Sequence, residues 1–410
     1  MMTVEVFNKR REKLGTLLNN GDIVLIFSAD EPTGISKFLQ NNNFLYLTGI
    51  YSTPESVYLC IKSQDKIQET LFIQRNIEEK IVWDGAKMYP DEASAISGIS
   101  DVKYLDDFDE IVLPMLNISK KLYINSGIVK LNKPLNKALF FISKVRERII
   151  HLEYIEANEI LRPLRQFKDE LEIKYLSKAI EITGFGLESI FEKASAGMYE
   201  YELEAMLFYE MRRRGLNHFG FAPIIASGKN ATTLHYKENN MLINKNDLVL
   251  CDVGALYKNY SADITRTFPI NKKFSKRQAN VYNEVLNIQK AIILEAKPGV
   301  GMKDLNKITG EMIGEACVRL GLIKNPLEHK KFYMHSVGHH LGMDTHDLGL
   351  RDSILQEGMV ITIEPGIYIP EESIGVRIED DILITKDGNR VLSSMIPKEI
   401  DEINEIRNKA

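Results

Sequence analysis

Cysteine is scarce in this chain: Cys60, Cys251 and Cys317 are the whole complement. An odd, widely spaced set argues against a disulfide framework and for a reducing, cytoplasmic compartment. There is no CxxC pair, so any bound metal has to be held by oxygen and imidazole. Long apolar runs are missing too, which argues against a transmembrane helix. The opening MMTVEVFNKRREKLGTLLNN mixes charge into every turn where a signal peptide would carry its apolar stretch. A net charge of −5 gives no electrostatic reason to expect nucleic acid or an acidic membrane as partner. Tryptophan occurs once, at Trp83.

What is present describes an ordinary globular protein, with 44% hydrophobic and 27% charged residues. A length of 410 residues exceeds one comfortable core, so two domains are expected. Residues 1–165 read as an α/β domain. NKRREKLGTLLNN has helical spacing, and DIVLIFSA, NFLYLTGI, SVYLCIK, TLFIQ, VKYLD and KLYINSG read as strands, most of them buried. Pro163 interrupts the chain, and a second domain, 166–410, opens with Asp169 as N-cap and Glu172 three residues on. Its order is helix, helix, hairpin, given twice: helices over about 169–194 and 201–214, then a strand pair over DLVLCDVGALYKNYSADITRTFPI, then helices over about 275–296 and 302–320 and the pair GMVITIEPGIYIPEESIGVRIEDDILIT. The whole is of α/β (α+β) class. The two copies share no obvious identity, yet each hairpin carries two acids.

A four-residue loop at Pro370–Ser373 places Glu364 directly opposite Glu379, with Thr362, Arg377 and Asp381 on the same face. A two-residue turn at Lys258–Asn259 pairs Asp252 with Thr265 and makes Asp252 and Asp263 diagonal neighbours on one face; a one-residue change of loop would separate them. Like charges facing each other destabilise a sheet. Either this is a solvated polar face with Arg377 neutralising one acid, or a cation is held between the acids. Asp252 lies in the otherwise apolar strand LVLCDVGALY, where an unpaired carboxylate needs a partner.

Four of the eight histidines fall within MHSVGHHLGMDTHD. His335 and His339 have the i, i+4 spacing of a helical zinc site, but Ser336 stands where its glutamate belongs, and Val337–Gly338 suits a helix badly, so an extended loop is expected. Four acids and one imidazole suit two divalent ions such as Mn2+, Co2+ or Zn2+. Paired ions activate a bridging water and polarise a carbonyl, and further histidines then stabilise an oxyanion or shuttle protons. His151, His329 and His340 are assigned structural roles; His218 is left between the two readings.

With these residues in view, the chain resembles the pita-bread metallopeptidases, in their aminopeptidase P and prolidase branch, over nearly its whole length. The motifs are ASGKNATTLHY (226–236), CDVGALYKNYSADITRTFP (251–269), HSVGHHLGMDTHD (335–347), TIEPGIY (362–368) and GVRIEDD (375–381), with QNNNFLYLTGI and VWDG similar to the branch's amino-terminal domain. The resemblance implies a creatinase-like amino-terminal domain for oligomerisation and substrate capping, followed by a pita-bread catalytic domain with pseudo-twofold repeats. It implies two divalent ions, Mn2+ in first place, held by Asp252, Asp263, His339, Glu364 and Glu379. Asp263 and Glu379 would bridge them. His235, His335 and His346 would act around the scissile peptide, Glu364 would also shuttle a proton, and Tyr368 and Arg377 would support the site. Trp83 would reach a neighbouring subunit's site, giving a homodimer or homotetramer; the alternative is a Trp packed in its own domain. Ser336, Thr345 and Asn43 depart from the usual pattern, the last where an aspartate is implicated in recognising the substrate's amine.

The function so implied is a metal-dependent Xaa-Pro aminopeptidase acting on peptides with proline second, through a metal-bridging water. A prolidase restricted to Xaa-Pro dipeptides is the alternative. A metal-free binding or creatinase-like protein is a third reading, set against the complete ligand set.

Overall fold

The computed structural model describes residues 4–32, 34, 37–127 and 131–409. The chain divides into two compact units, Met1–Leu164 and Arg165–Ala410. None of the described helices is long and apolar enough to cross a membrane.

The first unit is built on a six-stranded mixed sheet in the order Val102–Tyr104, Lys66–Ile73, Val57–Ser63, Asp22–Phe27, Lys121–Ile124, Glu153–Glu156. The three middle strands pair antiparallel and the flanking ones parallel. Phe108, Val112 and Leu116 of one helix pack on Leu25, Leu59 and Phe72 of the sheet. One expected strand is a helix: NFLYLTGI folds as Asn42–Thr48. The Asn41 side chain caps it by accepting from the Phe44 N–H at 3.1 Å, and Gly49, at φ 71°, ends it in the left-handed region. Asn43 through Thr48 are all buried, so the apolar run has no exposed face from which its period could be read.

In the second unit, helices Glu170–Lys193 and Glu200–Arg212 precede the first hairpin, and Lys276–Glu295 and Met302–Arg319 precede the second. Asp169 forms the expected capping box with Glu172. Strand Leu248–Val253 pairs with Ile264–Pro269, Asp252 facing Thr265. Lys258 and Asn259, at φ 52° and 60°, form the tight turn between Tyr257 and Tyr260. In the second hairpin Ile369 faces Ile374 and Gly366 faces Arg377, while Ile363 faces Asp380. The same count runs through the break at Pro365 and leaves Glu364 opposite Glu379. The two hairpins lie side by side: the Glu379 N–H donates to the Thr265 carbonyl at 3.1 Å, and Thr267 Oγ1 donates to the Arg377 carbonyl at 3.0 Å.

The histidine-rich segment runs extended along strand Val360–Ile363. The Thr362 N–H donates to the His339 carbonyl at 2.9 Å, and the Leu341 N–H to the Val360 carbonyl at 3.0 Å. A Cβ at Gly338 would stand 1.9 Å from the Thr362 carbonyl oxygen, so only glycine allows this approach. The far end of the segment is anchored by charge. Asp347 is buried between Arg165 Nη2 at 2.5 Å and Lys168 Nζ at 3.0 Å. Burial opposes ionisation of Asp347, but Arg165 and Lys168 outweigh it and hold its carboxyl down at about 2. A depressed acid stabilises the fold above its unfolded value and loses that contribution as pH falls through the folded one. Asp347→Asn should therefore lose about 3 kcal/mol near neutrality, by leaving two buried cations short of compensation. In urea denaturation the gap from wild type should narrow as pH falls from about 4 to about 2; a gap constant with pH would contradict this pairing.

Candidate metal centre and active site

Five side chains from the two hairpins and the histidine segment converge. Asp263, His339 and Glu379 each offer a donor atom, and the three atoms lie within 4.8 Å of one another. Nδ1 of His339 lies 3.0 Å from the His340 carbonyl, an acceptor that places the proton on Nδ1. Nε2 is left facing Asp263 Oδ2 at 3.3 Å and Glu364 Oε1 at 3.7 Å. Glu364 Oε2 is 3.8 Å from His335 Nδ1. Glu379 accepts a hydrogen bond from Thr265 Oγ1 at 2.7 Å. Asp252 pairs through Oδ2 with Arg377 Nη2 at 2.6 Å, while its Oδ1 is buried with no hydrogen-bond partner.

The electrostatics follow from crowding. Burial, then the neighbouring Asp252, pushes the Asp263 carboxyl well above the usual carboxylate range. Glu379 moves the same way through burial and the proximity of Asp263, Glu364 and Asp252. Burial lifts Glu364 to about 7 against the pull of His339 and Arg377. Acids this close resist ionising together. A divalent cation is the compensation that lets them do so, and the unpaired Asp252 Oδ1 is a donor such an ion would use. An oxygen-rich set with one imidazole fits a hard or borderline ion.

Around the acids stand the other expected residues. His335 Nδ1 lies 2.8 Å from the Ser336 carbonyl, and its Nε2 lies 2.8 Å from the Tyr368 hydroxyl, which Arg377 Nη1 reaches at 3.0 Å. A continuous chain thus runs Asp252–Arg377–Tyr368–His335. Burial, with Arg377 and His235 nearby, lowers His335 to about 4. Burial, with His339 and His235 nearby, does the same to His346. Both imidazoles are neutral at physiological pH and trade hydrogen bonds rather than charge. The His346 ring lies 4.0 Å from that of His339, and His235 is exposed. His340 is buried, with Nε2 2.8 Å from Ser353 Oγ, and packs away from the acids. His151 is exposed, and His218 and His329 are half-buried.

Trp83 is not packed in its own domain: it is 86% exposed on the short helix Glu78–Asp84, none of whose residues is buried. Asn43 is buried in the first unit and donates to Asn158 Oδ1 at 2.8 Å. Thr345 contacts Ser261 Oγ at 3.0 Å and donates to the Gly220 carbonyl, tying the histidine segment to the first hairpin.

Sequence reasoning placed Thr265 and Thr362 beside the acids without giving them a role, and passed over Tyr333. Thr265 was legible as the cross-strand partner of Asp252, and Thr362 as the face-mate of Glu364; Thr362 Oγ1 accepts from the His339 N–H at 3.1 Å. Tyr333, edge-on to His335 at 4.6 Å between ring centres, sits in a sequence with no periodic signal.

Comparison with known proteins places this geometry. The model of metallopeptidase family M24 matches residues 174–386, more than half of the chain, and that of the aminopeptidase P amino-terminal domain matches residues 7–123. The Xaa-Pro aminopeptidase of Escherichia coli is 33% identical over 97% of this chain and 96% of its own. A structure assigned as aminopeptidase P from Bacillus anthracis superposes with a TM-score of 0.95 at 41% identity, covering 100% of this chain and 99% of that one. The E. coli aminopeptidase P with the inhibitor Pro-Leu superposes at 0.90 and 30% identity, covering 100% and 99%. The chain belongs to metallopeptidase family M24, as a metallo-aminopeptidase of the aminopeptidase P branch.

Proposed function

We propose that the protein is a two-metal Xaa-Pro aminopeptidase, releasing the amino-terminal residue from peptides whose second residue is proline. The observation that carries this reading is the convergence of Asp252, Asp263, His339, Glu364 and Glu379 beside His335 and His346. These five would hold the ions, with Asp263 and Glu379 shared, Asp252 completing one set and His339 with Glu364 the other. Mn2+ is the first choice, and Co2+ or Zn2+ are the alternatives. Such ions supply Lewis acidity and a nucleophilic water at neutral pH.

The chain's own residues do the rest. Proline's nitrogen, like that of any peptide bond, needs a proton as it leaves. Glu364, whose Oε2 lies 3.8 Å from His335 Nδ1, would take a proton from the nucleophile and return it to that nitrogen. His335, steadied by Tyr368 and Arg377, would exchange its Ser336 acceptor for substrate. His346 and His235 supply further hydrogen bonds to the tetrahedral oxygen. Trp83 would complete the pocket of a neighbouring subunit in a homodimer or homotetramer, consistent with its exposure. Three buried free thiols suit a reducing, cytoplasmic setting.

Mn2+-loaded enzyme offered Xaa-Pro and Xaa-Pro-Yaa-Zaa side by side should cleave the longer peptide; cleavage of the dipeptide alone would make it a prolidase. Asp263→Ala should keep the fold and lose essentially all turnover. Adding Mn2+ to the chelator-stripped wild type near pH 7 should raise Tm and release protons from the buried acids, read by calorimetry in two buffers. Neither signal should survive in Asp263→Ala, and heat without proton release in the wild type would count against an all-acid core. Co-expressing Trp83→Ala with Asp263→Ala should restore activity that neither has alone, because each subunit supplies what the other lacks; no recovery would sink the shared pocket.

A further inference from the structure

The segment that carries His235 leaves strand Ile224–Ser227, passes through the turn Gly228–Thr232 and returns at Met241 beside the start of helix Glu200–Arg212. It has no regular structure between the turn and its return, and His235 itself is exposed. Yet its start, middle and end all terminate on one carboxylate. Glu200 is fully buried. Its Oε1 accepts from the Ser227 N–H at 2.7 Å, from Ser227 Oγ at 2.7 Å and from Asn230 Nδ2 at 3.1 Å. Its Oε2 accepts from the Tyr236 hydroxyl at 2.7 Å and from the Met241 N–H at 3.0 Å. The Glu200 N–H closes the ring by donating to the Met241 carbonyl at 3.0 Å. One turn along the same helix face, Glu204 accepts from Asn239 Nδ2 at 2.8 Å, and Asn239 in turn binds Ile225 N–H and the Pro223 carbonyl.

A buried carboxylate without a basic partner is held only if its lone pairs are filled, and five donors fill them. Its place in the first turn of the helix adds the favourable end of the helix dipole. The donors are spread over the segment so that none can move without leaving a buried charge short. Tyr236 is the residue next to His235, and its hydroxyl is fixed on Glu200 while the imidazole is exposed. We propose that Glu200 is the positioning residue for His235: the carboxylate fixes the segment so that His235 is presented to substrate at constant geometry. This rests on the reading of His235 as a substrate-contacting histidine.

Glu200→Gln keeps the shape but turns two acceptor sites into donors, which face donors already there. A misplacement of about an ångström at a catalytic group costs up to about a hundredfold. Glu200→Gln should therefore lower kcat by about ten- to a hundredfold with little change in Mn2+ affinity, and hydrogen exchange across 228–241 should quicken. In the His235→Ala background the same substitution should change kcat by less than about twofold, because the group it positions is gone. Equal losses in both backgrounds, or unaltered exchange across 228–241, would overturn the proposal. If Glu200→Gln does not fold, Tyr236→Phe removes a single donor: a few-fold loss that vanishes in the His235→Ala background supports the proposal, and a loss that persists overturns it. If His235→Ala by itself leaves kcat and KM unchanged, the reading of His235 falls, and the exchange measurement on Glu200→Gln then decides whether the carboxylate fixes the segment.

Discussion

Mutual repulsion among carboxylates is the constraint around which the second unit is built. Two unit charges 4 Å apart interact by about 4 kcal/mol at an effective dielectric of 20, and here Asp252, Asp263, Glu364 and Glu379 share one space with the guanidinium of Arg377. Burial works against Arg377's charge, but the carboxylates and Tyr368 around it overcome that and hold it well above its ordinary value. A side chain that could relax away from such a cluster would do so. Short, rigid placement on paired strands prevents it: each acid is fixed by register, and the hairpins are joined through Thr265 and Thr267 to segment 377–379. A site that repels itself when empty is one that binds cations tightly, because the free energy stored in crowding is released when the charge is compensated.

The run Glu379–Asp380–Asp381 shows how finely this depends on the two-residue alternation of a strand. Glu379 and Asp381 point to the acidic face; Asp380 points to the other. There it meets Arg266 Nη2 at 2.7 Å and Lys398 Nζ at 2.5 Å, which outweigh burial and hold its carboxyl down at about 2. Asp381 has no such partner: its Oδ2 accepts the Asp263 N–H at 3.2 Å, and burial drives its carboxyl well above the ordinary range. Three adjacent acids thus have three different chemistries, and composition alone would treat them alike.

The alternation also explains what could be read without coordinates. Once Lys258–Asn259 is taken as a two-residue turn, the pairing of Asp252 with Thr265 follows by counting, and Pro370–Ser373 fixes Glu364 against Glu379 in the same way. Helices Glu170–Lys193 and Lys276–Glu295 announce themselves by caps and period. Asn42–Thr48 does not, because a short run buried on every side has no period, and its Asn41 cap resembles a turn residue. The anchoring of Asp347 by Arg165 and Lys168 is likewise invisible, since partners 179 residues or more apart leave no local pattern.

Acids and histidines are consequently mounted differently. The carboxylates sit on or beside strands, where two-sided hydrogen bonding leaves little freedom and the required separation is a fixed strand spacing. His235, His335 and His346 sit on segments of irregular backbone, which need separate anchors. Each such segment has one: Gly338 lets the first lie against Thr362, Asp347 pins its far end, and Glu200 gathers the segment bearing His235. Anchoring by buried carboxylate works in two opposite ways here. Asp347 is held by cations and would release its segment only in strong acid, whereas Glu200 is held by neutral donors, and so its hold depends on every one of them being in place.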